Sequence, residues 1–188
     1  MKEGRPPAAL PAYEDHVGLW ADELMAWVPD VIFDAHVHLG PPAAMGTIGP
    51  ERLELPLSTF TSLTWEQIQQ LYRRLYRGKR VAGLIVFGFP LREVDLEAAN
   101  RYIIALRKDT PNVKGFVLAH PTDFEPTRSI FDEALNQGVP FSGVKPYFDL
   151  LRQDVFKTTM PQFIPEPLLE FMDRERLILM LHTSGIGM

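Results

Sequence analysis

Two histidines separated by a single residue follow an apolar stretch, in the sequence FDAHVH at residues 33–38. Side chains two residues apart on an extended strand point to the same face, so we expect His36 and His38 to project together. Asp34 is expected one step deeper on that same face. Two converging neutral imidazoles suit a divalent metal such as zinc. For so short a motif, two histidines on a half-exposed strand are an equally weighted alternative.

The elements that position these histidines are predicted to alternate between strands and helices. Short apolar runs predict strands at residues 31–38, 81–89, 113–119, 141–147 and 177–182. Apolar residues at helical spacing predict helices at about residues 64–78, 95–108, 128–136 and 166–174. The first of these helices begins with the capping-box residues Thr64 and Gln67. This alternation, with helices long enough for parallel crossovers, predicts an α/β domain with a parallel sheet.

The segments around the first strand are less regular. Residues 1–11 are predicted to be a loose arm rich in proline, and a helix at about residues 14–27 to cap one end of the domain. We therefore divide the chain into an N-terminal arm and capping helix, residues 1–30, and a domain at residues 31–188. Residues 39–63 contain four prolines and no clear periodicity. Such a long connection is predicted to be a loop that covers the histidine pair.

Composition excludes several classes of protein. With 188 residues, of which 46% are hydrophobic and 23% charged, the chain is expected to be a soluble globular domain with a core of its own. The formal net charge of −5 argues against nucleic acid as a partner. The absence of cysteine excludes thiolate metal ligands and a cysteine nucleophile. Neither a signal peptide nor a membrane-spanning apolar run is visible, so we expect a cytoplasmic location and no membrane partner.

The ends of the predicted strands carry most of the chemically capable residues. In parallel α/β sheets, functional side chains gather at the carboxyl ends of the strands. These ends carry His36 and His38, then His120, then Lys145, and finally His182, so four of the five histidines fall at one edge. His36, His38 and His182 are therefore predicted to form a three-imidazole metal site, which leaves one coordination position open for water.

Three stretches together resemble the amidohydrolase superfamily. They are FDAHVHL at residues 33–39, GVKP at 143–146 and LMLHTSG at 179–185, and the resemblance covers residues 31–188. The subgroup they resemble is the metal-dependent TIM-barrel hydrolases that include the aminocarboxymuconate semialdehyde decarboxylase group. The resemblance implies a (β/α)8 barrel with His36, His38 and His182 as metal ligands. It also implies that Lys145 either bridges two metals as a carbamate or serves as a substrate or outer-sphere group beside one metal.

The chain departs from this family at its carboxyl end. The family takes its general base from an Asp that follows strand eight, and no residue here matches that Asp. A complete barrel of this type has about 250 residues, so we expect only the first five strands and predict a truncated version of a larger enzyme. An open five-stranded sheet exposes two edges and the inner face of a half-barrel. A homo-oligomer is therefore a candidate assembly.

The function predicted from the sequence is a metal-dependent hydrolase, most suitably loaded with zinc, that attacks an amide, ester or lactone of a small molecule. Lys145 is the predicted catalytic group, and His120, Tyr147 and Arg152 are predicted to bind substrate. A metal-dependent decarboxylase of the same subgroup is the first alternative. A metallophosphoesterase or nuclease of another His-x-His barrel family, and a catalytically incompetent fragment, are the others.

Overall fold

The structure of the protein, a computed structural model, describes residues 17–53, 62–152 and 158–182. Five parallel strands form a half-barrel sheet in the order β1-β2-β3-β4-β5. Their bounds are β1 Val31–His38, β2 Arg80–Phe87, β3 Val113–Ala119, β4 Gly143–Pro146 and β5 Ile178–Leu179. Each strand pairs with the next one along the chain, so all five carboxyl ends lie at one edge of the sheet. The mixed α/β architecture with a parallel sheet agrees with the prediction.

A helix follows each of the first four strands. Their bounds are α1 Trp65–Leu75, α2 Leu96–Asp109, α3 Glu125–Asn136 and α4 Glu166–Glu175. The predicted capping box is present, because the Thr64 hydroxyl accepts from the Gln67 backbone N–H and the Gln67 side chain accepts from the Thr64 N–H. Asp95 caps α2 through the Ala98 N–H. Gly78, with φ of +83°, adopts the left-handed conformation soon after α1 ends.

Short helical turns fill the connections. They are a one-turn α-helix Val17–Leu19, a π-helix Trp20–Leu24, two 3-10 helices Pro42–Ala44 and Phe148–Leu151, and two short α-helices Pro50–Leu53 and Met160–Phe163. The helix predicted at residues 14–27 thus ends at Leu24, and its first residues, with the predicted arm, lie outside the described residues. The long loop after β1 includes two of these short helices, Pro42–Ala44 and Pro50–Leu53, and its residues 54–61 also lie outside the described residues.

The core lies mainly between the sheet and the helices. Val86, Val117 and Val144 point from three adjacent strands toward Ile103 of α2 and Ile130 of α3, and all five are buried. A second, smaller cluster includes Phe87, Phe116 and Leu118. We call the sheet surface that carries Val86 the helix face, and the surface that carries Phe87 the inner face, because successive strand residues point to opposite sides.

The element bounds differ from the predictions mostly by a few residues. Helix α3 begins at Glu125 rather than residue 128, because Pro126 is accommodated in its first turn, where no backbone N–H is needed. Strands β4 and β5 are shorter than predicted, and β5 contains only Ile178 and Leu179. None of the described helices is both long and apolar enough to span a membrane.

Candidate functional site

A register shift in β1 decides which side chains reach the inner face. Asp34 pairs with Leu84 and Val37 pairs with Val86, so two residues of β1 lie opposite the single residue between Leu84 and Val86. His38 pairs with Phe87 and therefore points to the inner face. Asp34 points to the helix face, where its carboxylate accepts from Tyr72 of α1. The expectation that Asp34 shares a face with the two histidines is therefore wrong.

His36 and His38 lie side by side against one aromatic ring. Their ring centroids are 5.2 Å apart, and both rings meet Phe87 edge-on at 5.0 and 4.7 Å. Phe89 also stacks on His38, with the ring centroids 5.6 Å apart. Phe87 is completely buried, so it forms a rigid apolar floor under the imidazole pair. Phe87 was not among the predicted site residues, because the strand that carries it was predicted to run to residue 89, whereas β2 ends at Phe87.

Lys145 approaches the same aromatic floor from β4. Its Nζ atom lies 5.2 Å from the centre of the Phe87 ring, within the range of a cation–π contact. The side chain is fully buried, yet Nζ has no hydrogen-bond partner among the described residues. Burial lowers the pKa of Lys145 to about 8. An unpartnered buried amine is costly, and such groups are concentrated at functional sites.

His182 enters the cluster from the segment after β5. Its ring meets Tyr147 at 4.8 Å and Phe148 at 5.5 Å, and these two rings stack on one another at 4.5 Å. Tyr147 is 1% exposed, so its ring forms the wall against which His182 rests. Burial raises the pKa of Tyr147 to about 12, and the phenol therefore stays protonated near neutral pH.

The three imidazoles and Lys145 share one electrostatic environment. Burial, followed by the charge of His36, lowers the pKa of His38 to about 4. Desolvation, followed by the Lys145 ammonium, lowers the pKa of both His36 and His182. The structure therefore brings His36, His38, His182 and Lys145 close enough to influence one another. At neutral pH the imidazoles are predominantly uncharged, which is the form that binds metal ions.

The donor set fits a divalent metal in its chemistry. The Nδ1–H of His38 donates to the Gly88 carbonyl oxygen at 3.3 Å, which leaves Nε2 with a free lone pair for a ligand. Lys145 supplies an unpartnered buried nitrogen beside the three neutral imidazoles. Among residues 17–53, 62–152 and 158–182, however, no three His, Asp or Glu side chains are already grouped closely enough to hold an ion. Closure around a metal would therefore require side-chain movement.

His120 lies apart from this cluster. Its Nδ1 accepts from the backbone N–H groups of Thr122 and Asp123 at 3.3 and 3.0 Å, and the backbone N–H of His120 donates to Thr127 Oγ1 at 3.2 Å. The ring thus closes the turn that follows β3, and it borders a small cavity of about 100 Å³ between α2 and α3. In this position His120 stabilises a strand end.

Arg152 lines a different surface, an open cleft formed with the loops after β1 and β2. Its guanidinium donates to the Arg92 carbonyl oxygen at 3.4 Å, and its φ of 56° places it in the left-handed region. None of the three histidines is among the described residues that line this cleft. Of the predicted substrate-binding residues, only Tyr147 contacts one of the predicted metal ligands.

A buried carboxylate connects three loops at the edge where the site lies. Asp149, which follows β4, accepts from the guanidinium groups of Arg52 and Arg92 at distances between 2.6 and 3.1 Å. Burial alone would raise the pKa of Asp149, but the hydrogen bonds from Arg52 and Arg92 outweigh it and hold the pKa below its usual range. Glu93 also pairs with Arg52. This network holds the loops after β1, β2 and β4 together.

Comparisons of the chain with protein-family models, with curated proteins and with solved structures gave no match. The function therefore has to be argued from the site itself. The chemically capable side chains of that site are His36, His38, His182 and Lys145, which lie at one edge of a parallel sheet.

Proposed function

We propose that the protein is a metal-dependent hydrolase of the amidohydrolase type, built on the first five strands of a TIM-type barrel. The observation that carries the proposal is the buried, unpartnered amine of Lys145 beside three imidazoles of lowered pKa. A site with this composition is poorly explained by stability, because a buried lysine without a partner destabilises the fold. The stability lost by burying this amine is understandable if the amine contacts a ligand or substrate.

His36, His38 and His182 are the proposed metal ligands, with zinc as the preferred ion because imidazole nitrogen suits it. A divalent ion bound there supplies Lewis-acid polarisation of a substrate carbonyl and makes a water molecule more acidic. The Gly88 carbonyl holds the His38 ring in the tautomer that presents Nε2. Phe87 and Phe89 keep water away from one side of the imidazole pair.

Lys145 is the proposed catalytic group. Its ammonium is desolvated and has no acidic partner among the described residues, so it is suited to stabilise negative charge that develops on a substrate oxygen or to hold a substrate carboxylate. The low polarity around Phe87 strengthens that interaction relative to water. Tyr147 supports His182 and, through its phenol, is a proposed substrate contact. Arg152 and His120 lie apart from the imidazole cluster at the same edge of the sheet, so they are proposed contacts only for parts of a substrate that extend beyond it.

The substrate proposed for this site is a small molecule with an amide, ester or lactone carbonyl. We propose a cytoplasmic location, no nucleic-acid or membrane partner, and a homo-oligomer as a candidate assembly. Decarboxylation uses the same ligand set, so the assay must detect released carbon dioxide as well as hydrolysis products.

The experiment is a turnover assay of the zinc-loaded protein on a panel of chromogenic esters, anilides and lactones. We expect slow but saturable hydrolysis of at least one class that is lost on dialysis against a chelator. Lys145→Met should lower kcat by about 10²- to 10³-fold, as removal of an oxyanion-stabilising donor does in other hydrolases. Lys108→Met, which removes a lysine on α2, is the matched control and should leave turnover unchanged. Equal activity of both variants would contradict the role of Lys145.

A further inference from the structure

The bulge in β1 is the feature that separates Asp34 from the two histidines. Without it, Asp34, His36 and His38 would share one face, because they are two residues apart. The pairs Asp34–Leu84 and Val37–Val86 show one additional residue in β1 between them. The bulge therefore brings both imidazoles to the inner face while Asp34 stays on the helix face.

A bulge leaves a backbone group without its partner in the ladder, and here a side chain satisfies it. The His36 backbone N–H donates to Asp34 Oδ1 at 3.1 Å. The second carboxylate oxygen, Oδ2, accepts from the Tyr72 hydroxyl at 2.8 Å. A continuous path of hydrogen bonds thus runs from α1 through the Asp34 carboxylate to the backbone of His36.

Tyr72 is well suited to hold this carboxylate. Its side chain is 7% exposed and stacks on Tyr76, the residue that follows α1, so the ring has little freedom to rotate. Burial, followed by the hydrogen bond to Asp34 and then the charge of that carboxylate, raises the pKa of Tyr72, so the phenol remains a hydrogen-bond donor throughout the physiological range. The helix that carries Tyr72 is itself fixed by the Thr64–Gln67 capping box.

We infer that Asp34 and Tyr72 are positioning residues of the imidazole site, which act by holding the β1 bulge that turns His36 toward His38, Phe87 and Lys145. The inference deepens the proposed function and rests on it for its effect on metal affinity. The bulge geometry itself does not rest on it, because the two hydrogen bonds join only Tyr72, the Asp34 carboxylate and the backbone of His36. Neither residue touches the proposed metal position.

The test compares the hydroxyl groups of Tyr72 and Tyr102, each of which makes one hydrogen bond that involves α1. Tyr72→Phe removes the donor to Asp34 and keeps the aromatic ring. Tyr102→Phe is the matched control, because the Tyr102 hydroxyl accepts from the Trp65 backbone N–H at the start of α1 but does not touch Asp34. The two variants should lose similar stability, since each removes one partly buried hydrogen bond.

The first measurement is hydrogen exchange of the His36 backbone amide, followed by NMR on the metal-free protein. We expect Tyr72→Phe to speed this exchange by about tenfold, and Asp34→Ala to speed it further, because the acceptor of that amide is loosened or lost. Asp34→Asn keeps an acceptor oxygen and should restore part of the protection. Tyr102→Phe should leave the His36 amide unchanged. Equal exchange in all four variants and the wild type would overturn the inference.

The second measurement is the affinity for Zn²⁺ of the same proteins. Loss of a group that orients a metal ligand lowers metal affinity by about 10- to 100-fold, so we expect that loss in Tyr72→Phe and Asp34→Ala. Tyr102→Phe should bind Zn²⁺ as the wild type does. Equal loss in Tyr72→Phe and Tyr102→Phe would show a general structural effect and overturn the positioning role. If the wild type binds no Zn²⁺, the proposed function fails, while the amide exchange still decides the role of the bulge.

Discussion

The Nζ atom of Lys145 lies 5.2 Å from the centre of the Phe87 ring and has no hydrogen-bond partner among the described residues. Phe87 is also the ring on which His36 and His38 rest. The Phe87 ring therefore contacts both the imidazole pair and the Lys145 amine. This contact joins β2 to β4 at the carboxyl edge and brings together groups that are far apart in the sequence.

Replacing the buried amine should stabilise the protein. Lys145→Met keeps the length of the side chain and removes the desolvated charge, so we expect the free energy of unfolding at pH 7 to rise by about 1–3 kcal/mol. Urea unfolding of the metal-free wild type and variant measures this difference in the free energy of unfolding. The advantage should shrink as the pH rises from about 8 to 10.5, because the folded wild type loses the Lys145 proton near pH 8 while the unfolded chain keeps it. A difference independent of pH would contradict the lowered pKa of Lys145.

Acid should destabilise the protein through His38. The pKa of His38 is about 4 in the folded protein and about 6.5 in the unfolded chain. Between these values the unfolded chain holds more protons, so stability rises with pH, by about 2–3 kcal/mol from pH 4 to pH 6.5. His38→Gln removes this titration, and its unfolding free energy should change correspondingly less over that interval. Parallel pH profiles for the two proteins would contradict the lowered pKa of His38.

The loop network should depend on the charge of Asp149. Asp149→Asn leaves Arg52 and Arg92 without their buried carboxylate, and we expect a loss of about 2–4 kcal/mol in the free energy of unfolding. Hydrogen exchange of residues 41–52 should become faster in the same variant. Glu97→Gln, which removes an exposed partner of Arg101 on the surface of α2, is the matched control. Similar stabilities of the two variants would show that the network is dispensable.

A tight contact between β3, β4 and β5 should not tolerate a methyl group. A Cβ at Gly143 would overlap the Phe116 ring and the Ile178 carbonyl oxygen, so we expect Gly143→Ala to cost about 3 kcal/mol or more. Gly18→Ala provides the control, because a Cβ there meets no atom within 4 Å. It should be neutral or slightly stabilising, since alanine favours helix. Equal thermal midpoints would contradict the packing described for β4.

Much of the fold could be predicted from local patterns. The bounds of β1 and β3 match the prediction, since both are short segments rich in apolar and β-branched residues. The capping box at Thr64 was visible as two residues at the required spacing. The convergence of His36, His38, His182 and Lys145 followed from the rule that parallel strands end at one edge.

The features that were not predicted depend on contacts between residues, which the pattern within one segment does not show. Periodicity within β1 placed Asp34 beside the histidines, because the additional residue is visible only in the register against β2. The bond between Arg52 and Asp149 joins residues 97 positions apart, and no local motif marks it. His120 matched the expected edge, but its ring folds back onto its own turn.

His36, His38 and His182 are proposed to form one metal site, and isothermal titration of Zn²⁺ into the purified protein measures whether they do. We predict binding by the wild type, and a loss of at least about 100-fold in affinity in each of His36→Ala, His38→Ala and His182→Ala. His120→Ala, which removes a histidine outside the cluster, should bind Zn²⁺ as the wild type does. Equal affinities for Zn²⁺ in all five proteins, or no binding by the wild type, would contradict a metal site formed by these three histidines.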